Sequence, residues 1–331
     1  MGLLPSKEEV SIPSQNMEDY NFLIYGLPGS GKTSLANEFD DSLLVLFEKG
    51  TTGLMTNEVN LIEQSEKTGK MVWELFKQTK KEVMAGEHPY KTIVVDTITR
   101  AYEYAMDYVI ETKLDGIHPS ETEFNSGYSK LNKELKKEFN ELLSSDLGIV
   151  LLSHVKRKNV KDIKGNERSR LVADTGGSFS RFIMGEMDIV IFYDKDENKN
   201  RILRVEGTKD FDAKQRLQFP NGDIEAGKDA KSTYKKLFEE FNVAIGELND
   251  KLGVTKEMID DHYNRKKAKK EKQKKLSNLK DKIIDLAKEK QLNPKKNAFE
   301  MNKQIGVDKV SKISNLDNAK KYIDYLKNYE G

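Results

Sequence analysis

The run Gly26-Leu27-Pro28-Gly29-Ser30-Gly31-Lys32-Thr33 carries the glycine spacing and the closing lysine–hydroxyl pair of a phosphate-binding loop. Gly26, Gly29 and Gly31 let the backbone curl until its N–H groups converge on phosphate oxygens, a geometry that side chains at those positions would obstruct. Lys32 is the cation for the β- and γ-phosphates, and the Thr33 hydroxyl is a ligand for magnesium. Pro28 and Ser30 complete the cradle. The context agrees: an apolar run, Phe22-Leu23-Ile24-Tyr25, precedes the loop, and a helical segment beginning at Ser34 follows it. Ser34 joins the binding set because the start of that helix favours an anion. The chemistry implied is binding of a nucleoside triphosphate with magnesium.

A metal in such a site needs a carboxylate. Ile93-Val94-Val95-Asp96 is an apolar strand ending in one, and parallel sheets bind their ligands at the carboxyl ends of strands. Asp96 is therefore the second magnesium residue. Many AAA-type ATPases place the catalytic glutamate directly after this aspartate; here the position holds Thr97, so the general base must come from elsewhere. Glu48 follows the apolar run Leu43-Leu44-Val45-Leu46-Phe47 and is placed to orient the attacking water. His154 follows Ile149-Val150-Leu151-Leu152-Ser153 and can sense the γ-phosphate from a strand tip. Thr208-Lys209-Asp210 lacks the spacing of the guanine-reading motif, because Phe211 stands where its aspartate belongs. That favours ATP over GTP.

After His154, residues 155–177 contain little apolar material and many cations: Lys156, Arg157, Lys158, Lys161, Lys164, Arg168 and Arg170. Two readings fit, a mobile basic loop that contacts the backbone of single-stranded DNA and an ordinary solvated hairpin. The chain as a whole is not a polycation, since its net charge is +1, so any nucleic-acid contact must be local. It has no cysteine, which excludes disulfides and thiolate metal sites. No apolar run approaches the roughly 20 residues that span a bilayer, and the expectation is a cytoplasmic protein with no membrane partner.

The elements that must position these groups can be read from periodicity. Continuous apolar runs at 21–25, 43–47, 92–95, 148–152, 188–193 and 201–205 predict strands buried on both faces. Between them, Ile98, Ala101, Tyr102, Ala105 and Val109 share one helical face, as do Phe124, Tyr128, Leu131, Leu135 and Leu142. The alternation predicts an α/β fold with a mainly parallel central sheet. Residues 1–17 read as a tail, 18–245 as the ATPase core, and 246–275, with its basic run from Arg265, as a linker or solvated helix. In 276–331, three short amphipathic patterns predict a small helical domain, with Asn293-Pro294 starting one helix.

Gly26 to Thr33, Val94-Val95-Asp96-Thr97-Ile98-Thr99, Glu48, Leu151-Leu152-Ser153-His154 and Gly207-Thr208-Lys209-Asp210 with Ala213-Lys214-Gln215-Arg216 together resemble the RecA-like P-loop ATPase core. They resemble more closely its compact phage-encoded members, the Sak-type single-strand annealing recombinases. The RecA family usually carries a polar amide where His154 stands, so its sensor role follows the phage subgroup. The resemblance implies that Lys209 and Arg216 reach a neighbouring subunit's nucleotide. It also implies a homo-oligomer acting on single-stranded DNA in a bacterial host's cytoplasm, with a single-strand-binding protein as a further partner. Two other functions stay open: a helicase-loader-type ATPase, and a nucleotide-dependent switch acting on protein partners.

Overall fold

In the computed structural model, which describes residues 11–161 and 165–329, the apolar runs form the middle of a ten-stranded sheet. In chain order the elements are β1 (Asn21–Gly26), α1 (Lys32–Asn37), β2 (Ser42–Leu46), β3 (Glu58–Asn60), α2 (Leu61–Thr68), α3 (Val72–Ala85), β4 (Thr92–Asp96) and α4 (Ile98–Lys113). They continue as α5 (Ser126–Leu143), β5 (Gly148–Lys161), β6 (Glu167–Ala173), α6 (Gly177–Glu186), β7 (Ile189–Lys195) and β8 (Arg201–Arg204). Two-residue strands β9 (Lys214–Gln215) and β10 (Ile224–Glu225) precede α7 (Ala230–Leu252). The order across the sheet is β10-β8-β7-β1-β5-β4-β2-β3, with β6 paired to β5 and β9 to β7. Strands β7, β1, β5, β4, β2 and β3 run parallel, and the remaining pairings are antiparallel. The fold is thus α/β with a mostly parallel central sheet.

The pleat sorts each apolar run onto two faces. Leu23, Tyr25, Val45, Val95, Leu151 and Phe192 pack with Trp73, Phe76, Phe139 and Phe179 from α3, α5 and α6. Phe22, Ile24, Leu44, Val94, Leu152 and Ile191 pack with Leu35, Phe39, Leu237 and Phe241 beside α1 and α7. Ile98, Ala101, Ala105 and Val109 are all fully buried on α4, as their spacing predicts. Phe124 departs from expectation. It precedes α5 with φ at 51° and is fully exposed, so the buried face of that helix begins after it.

Cα packing divides the chain after Gly253. Beyond it, the basic run from Arg265 lies inside one long helix, α8 (Lys256–Glu289), followed by α9 (Pro294–Ile305) and α10 (Leu316–Lys327). Their shared core includes Ile283, Met301, Ile313, Tyr322, Ile323 and Leu326. Asn293 caps α9 by accepting from the Lys296 N–H at 2.9 Å, and Asn315 caps α10 by accepting from Asn318 at 2.7 Å. Phe299 stays 66% exposed. Among the described residues no helix is long and apolar enough to cross a membrane.

One close approach makes a test of the sheet. A Cβ on Gly26, the last residue of β1, would stand 2.3 Å from the Tyr193 carbonyl oxygen of β7. Neither backbone can yield without breaking the β1–β7 ladder. Gly26→Ala is expected to cost roughly 1–3 kcal/mol of overpacking strain, read as a lower urea midpoint at unchanged slope; an unaltered midpoint would contradict the packing described.

Candidate functional site

The loop after β1 turns sharply because two of its glycines occupy the left-handed region, Gly29 at φ 72° and Gly31 at φ 103°. The Ser30 N–H closes the turn on the Leu27 carbonyl at 3.2 Å, and α1 begins as the Leu35 N–H bonds the Gly31 carbonyl at 2.9 Å. Leu27, Pro28 and Gly29 face solvent, while Ser34 on α1 is half-buried. Lys32 is buried, and its ammonium donates to the carbonyls of Gly26 and Leu27 at 3.1 and 3.0 Å. Burial lowers its pKa, against the opposing pull of Asp96 and Glu48. The Ser30 hydroxyl is buried with no hydrogen-bond partner among the described residues. A buried cation and an orphaned hydroxyl on a glycine-bent loop fit a polyphosphate ligand.

Sheet register brings the second half of the site to this loop. Leu46 of β2 stands beside Asp96 of β4, Asp96 beside Leu152 of β5, and His154 beside Gly26. The Thr33 hydroxyl donates to Asp96 Oδ2 at 2.8 Å, and the Phe47 N–H donates to the Asp96 carbonyl at 2.6 Å. Among the described residues no cluster of three or more carboxylate or imidazole groups could hold a metal. A cation at the Thr33–Asp96 pair would therefore rely on phosphate oxygens and water, as magnesium usually does. Burial, reinforced by the Glu48 carboxylate, pushes Asp96 up to about 6, against the lowering effect of the Thr33 hydroxyl, Lys32 and His154.

Glu48 and His154 meet: Glu48 Oε2 lies 3.1 Å from His154 Nε2, with both side chains 29% exposed. The His154 main chain is fixed more tightly. Its N–H donates to the Thr99 hydroxyl at 3.1 Å, that hydroxyl donates to the Asp174 carbonyl at 2.8 Å, and the Asp174 N–H donates to the His154 carbonyl at 2.8 Å. Sequence reasoning missed Thr99 and Asp174 as members of the site. Thr99 lies within the strand-end run 94–99, but a hydroxyl three residues past the aspartate carries no signal without the register. The structure therefore joins Lys32, Thr33, Asp96, Glu48 and His154 in one cluster.

The segment after His154 is an antiparallel hairpin, because β5 continues beyond the sheet and pairs with β6 from Val155↔Ala173 to Lys161↔Glu167. The paired strands replace the expected irregular loop; they do not decide between a DNA-contacting and an ordinary solvated segment. Its cations divide between two faces: Lys156, Lys158, Arg168 and Arg170 fall on one, Arg157 and Lys161 on the other. Two are engaged within the fold. Lys156 pairs with Asp174 at 2.6 Å. Arg170 pairs with Asp212 at 2.8 Å and donates to the carbonyls of Thr208 and Phe211 at 2.9 and 3.1 Å, tying down the 208–212 loop. Arg157, Lys158, Lys161 and Arg168 have no carboxylate partner among the described residues. Lys164 lies outside the described residues.

Lys209 is exposed on that tied loop. Arg216 is not brought to this chain's phosphate loop. It follows β9, which pairs with the start of β7, and it holds Asp188 at 3.0 Å at the opposite end of the strands from Gly26.

The raised Asp96 carboxyl gives a pH test in metal-free buffer. A carboxyl with a folded pKa near 6 and an unfolded value near the ordinary one binds more protons when folded, so its charge costs stability as pH rises through that window. Asp96→Asn keeps the acceptor for Thr33 and removes the charge. It is expected to raise unfolding free energy by on the order of 2 kcal/mol at pH 7.5, with the gain vanishing near pH 4. Equal effects at both pH values would show that the buried charge is not the cause.

The family model of the AAA domain, AAA_24, matches residues 18–217, spanning the sheet from before β1 to just past β9 and including every residue of the cluster. No curated protein matches the chain. With the matched segment covering most of the chain and containing a phosphate-binding loop set against a strand-end aspartate, this protein belongs to the AAA domain family of P-loop ATPases.

Proposed function

We propose that this protein hydrolyses ATP with magnesium and uses the nucleotide state to control how its β5–β6 hairpin engages single-stranded DNA. The observation that carries the reading is the 3.1 Å contact between Glu48 and His154. One partner stands beside the phosphate loop, and the other sits where β5 leaves the sheet to become the hairpin. The loop N–H groups, Lys32 and Ser34 hold the triphosphate, and Thr33 with Asp96 holds magnesium. Magnesium, when bound, neutralises charge on the phosphate oxygens. Glu48 takes a proton from water as it attacks the γ-phosphorus, and the bond to the ADP oxygen breaks. His154 holds Glu48 in place and carries its position to Asp174 and the hairpin.

Strand pairing or annealing in phage recombination is the finer form of this proposal, and it rests on the resemblance of the motifs alone. A helicase-loader-type ATPase is its nearest alternative. A switch acting on a protein partner has one observation in its favour: Lys156 and Arg170 are occupied by Asp174 and Asp212, which reduces the hairpin's free charge.

Glu48→Gln is expected to bind ATP and to hydrolyse it about 10²–10⁴-fold more slowly, the usual worth of a positioned general base; turnover within threefold of wild type would remove Glu48 from that role. Single-stranded DNA binding, measured by anisotropy across a salt series, should lose roughly 0.7 in log–log slope for each phosphate contact removed. The triple change Arg157→Ala, Lys158→Ala, Lys161→Ala should flatten that slope, while His154→Ala should keep DNA binding and lose its response to ATP. Undetectable DNA binding by the intact protein at low salt would favour the protein-directed switch.

A further inference from the structure

On the β7 side of the phosphate loop stands a cation that the cluster above does not use. Arg201 opens β8 and pairs across the hairpin with Lys195 of β7. Its Nη1 lies 3.6 Å from the point where a Cβ on Gly31 would stand, and the Tyr193 hydroxyl lies at the same distance. The guanidinium therefore borders the space beside Gly31, one residue before Lys32. Because β7 and β5 flank β1 on opposite sides, Arg201 approaches from the flank away from Asp96, Glu48 and His154.

Its charge is left free while its neighbours' charges are not. Arg204 pairs with Asp194 and Asp223 at 3.0 and 3.1 Å, and Arg216 pairs with Asp188 at 3.0 Å. Arg201 has no carboxylate within ion-pair distance among the described residues, and it is exposed. The Tyr193 phenol is what it has instead. Burial raises the pKa of that phenol, while Thr233 and Arg201, both within its reach, lower it. Thr233 is fixed in turn, donating to the Asp229 carbonyl at 2.7 Å and accepting from the Gly227 N–H at 3.0 Å at the start of α7. A planar fork of donors suits phosphate oxygens better than a point charge does. Lys32 and the Glu48 side of the site take the γ end of a triphosphate, so the β7 flank meets the part that ADP and ATP share.

We infer that Arg201 is a nucleotide-binding residue contacting the α- and β-phosphates from the β7 flank, with Tyr193 as its positioning residue. The inference rests on the phosphate-loop reading above. Titration of the intact protein with fluorescent ADP and ATP tests it by affinity. Arg201→Ala is expected to weaken both nucleotides by a similar factor, roughly tenfold or more for a lost charge-assisted hydrogen bond. Arg201→Lys should recover part of that loss. Tyr193→Phe should weaken both nucleotides in the wild-type background and change nothing further once Arg201 is alanine. The backbone bond from Ala226 N–H to the Arg201 carbonyl, at 2.9 Å, is kept by every variant. ADP affinity within twofold of wild type in Arg201→Ala, or a loss confined to ATP, would overturn the inference while leaving the loop reading intact. Failure of the wild-type protein to bind either nucleotide would overturn both.

Discussion

Strands β2, β4, β5 and β1 bond in parallel register so that Leu46, Asp96, Leu152 and Ile24 stand abreast. Every polar group of the site lies at or just beyond that line, where the strands give out and the chain turns back. In a parallel sheet the row cannot be adjusted at one strand alone. A slip of one residue would exchange the two buried faces of that strand, moving Val95 and Ile93 to the α1 side and Val94 to the α3 side. The apolar residues on both faces thus fix where Asp96 stands relative to Thr33 as firmly as the hydrogen bond between them does. The site's geometry is a by-product of packing two cores.

Packing also sets its electrostatics. Lys32 and Asp96 are both buried, yet neither pairs with the other: the ammonium is turned onto loop carbonyls, and the carboxylate onto a hydroxyl. Burying charge without a direct counter-ion is unfavourable, and the opposite shifts of the two groups, Lys32 downward and Asp96 upward, express that cost. An anion on the loop together with a divalent cation on the aspartate relieves both at once, since each supplies the charge its partner lacks. A site built this way would bind its ligands as a pair more readily than singly.

How much of this was legible in the sequence depended on whether the signal was local. The phosphate loop, the strand ending at Asp96 and the buried face of α4 follow from spacing within a few residues. Strands β3, β9 and β10 are two or three residues long and gave no pattern. The far half of β5 stayed open between loop and hairpin for a different reason. Beyond Val155 its side chains are largely polar or charged, and strand periodicity has no apolar face to reveal it. Phe124 was misassigned because an aromatic residue at helical spacing resembles a core residue until the left-handed turn before α5 is seen. The pairing of Arg170 with Asp212 joins residues far apart in the chain, so composition counted as free charge what tertiary structure had already matched.

The hairpin and the sheet share one strand, and that limits how a nucleotide signal could travel between them. The His154 main chain is held by Thr99 on one side and by Asp174 on the other, while its neighbours belong to the ladder with β1 and the ladder with β6. Moving that backbone would break bonds in two ladders. The side chain is not so constrained: its Nε2 has Glu48, and its Nδ1 is buried with no partner among the described residues. Two discrete arrangements of the imidazole, one on Glu48 and one away from it, require no strand to shift. Any coupling through this residue would then act at the hairpin's base, where Asp174 holds both the His154 carbonyl and the Lys156 ammonium. Releasing that base would change how the paired strands β5 and β6 are aimed while leaving the ladder between them intact.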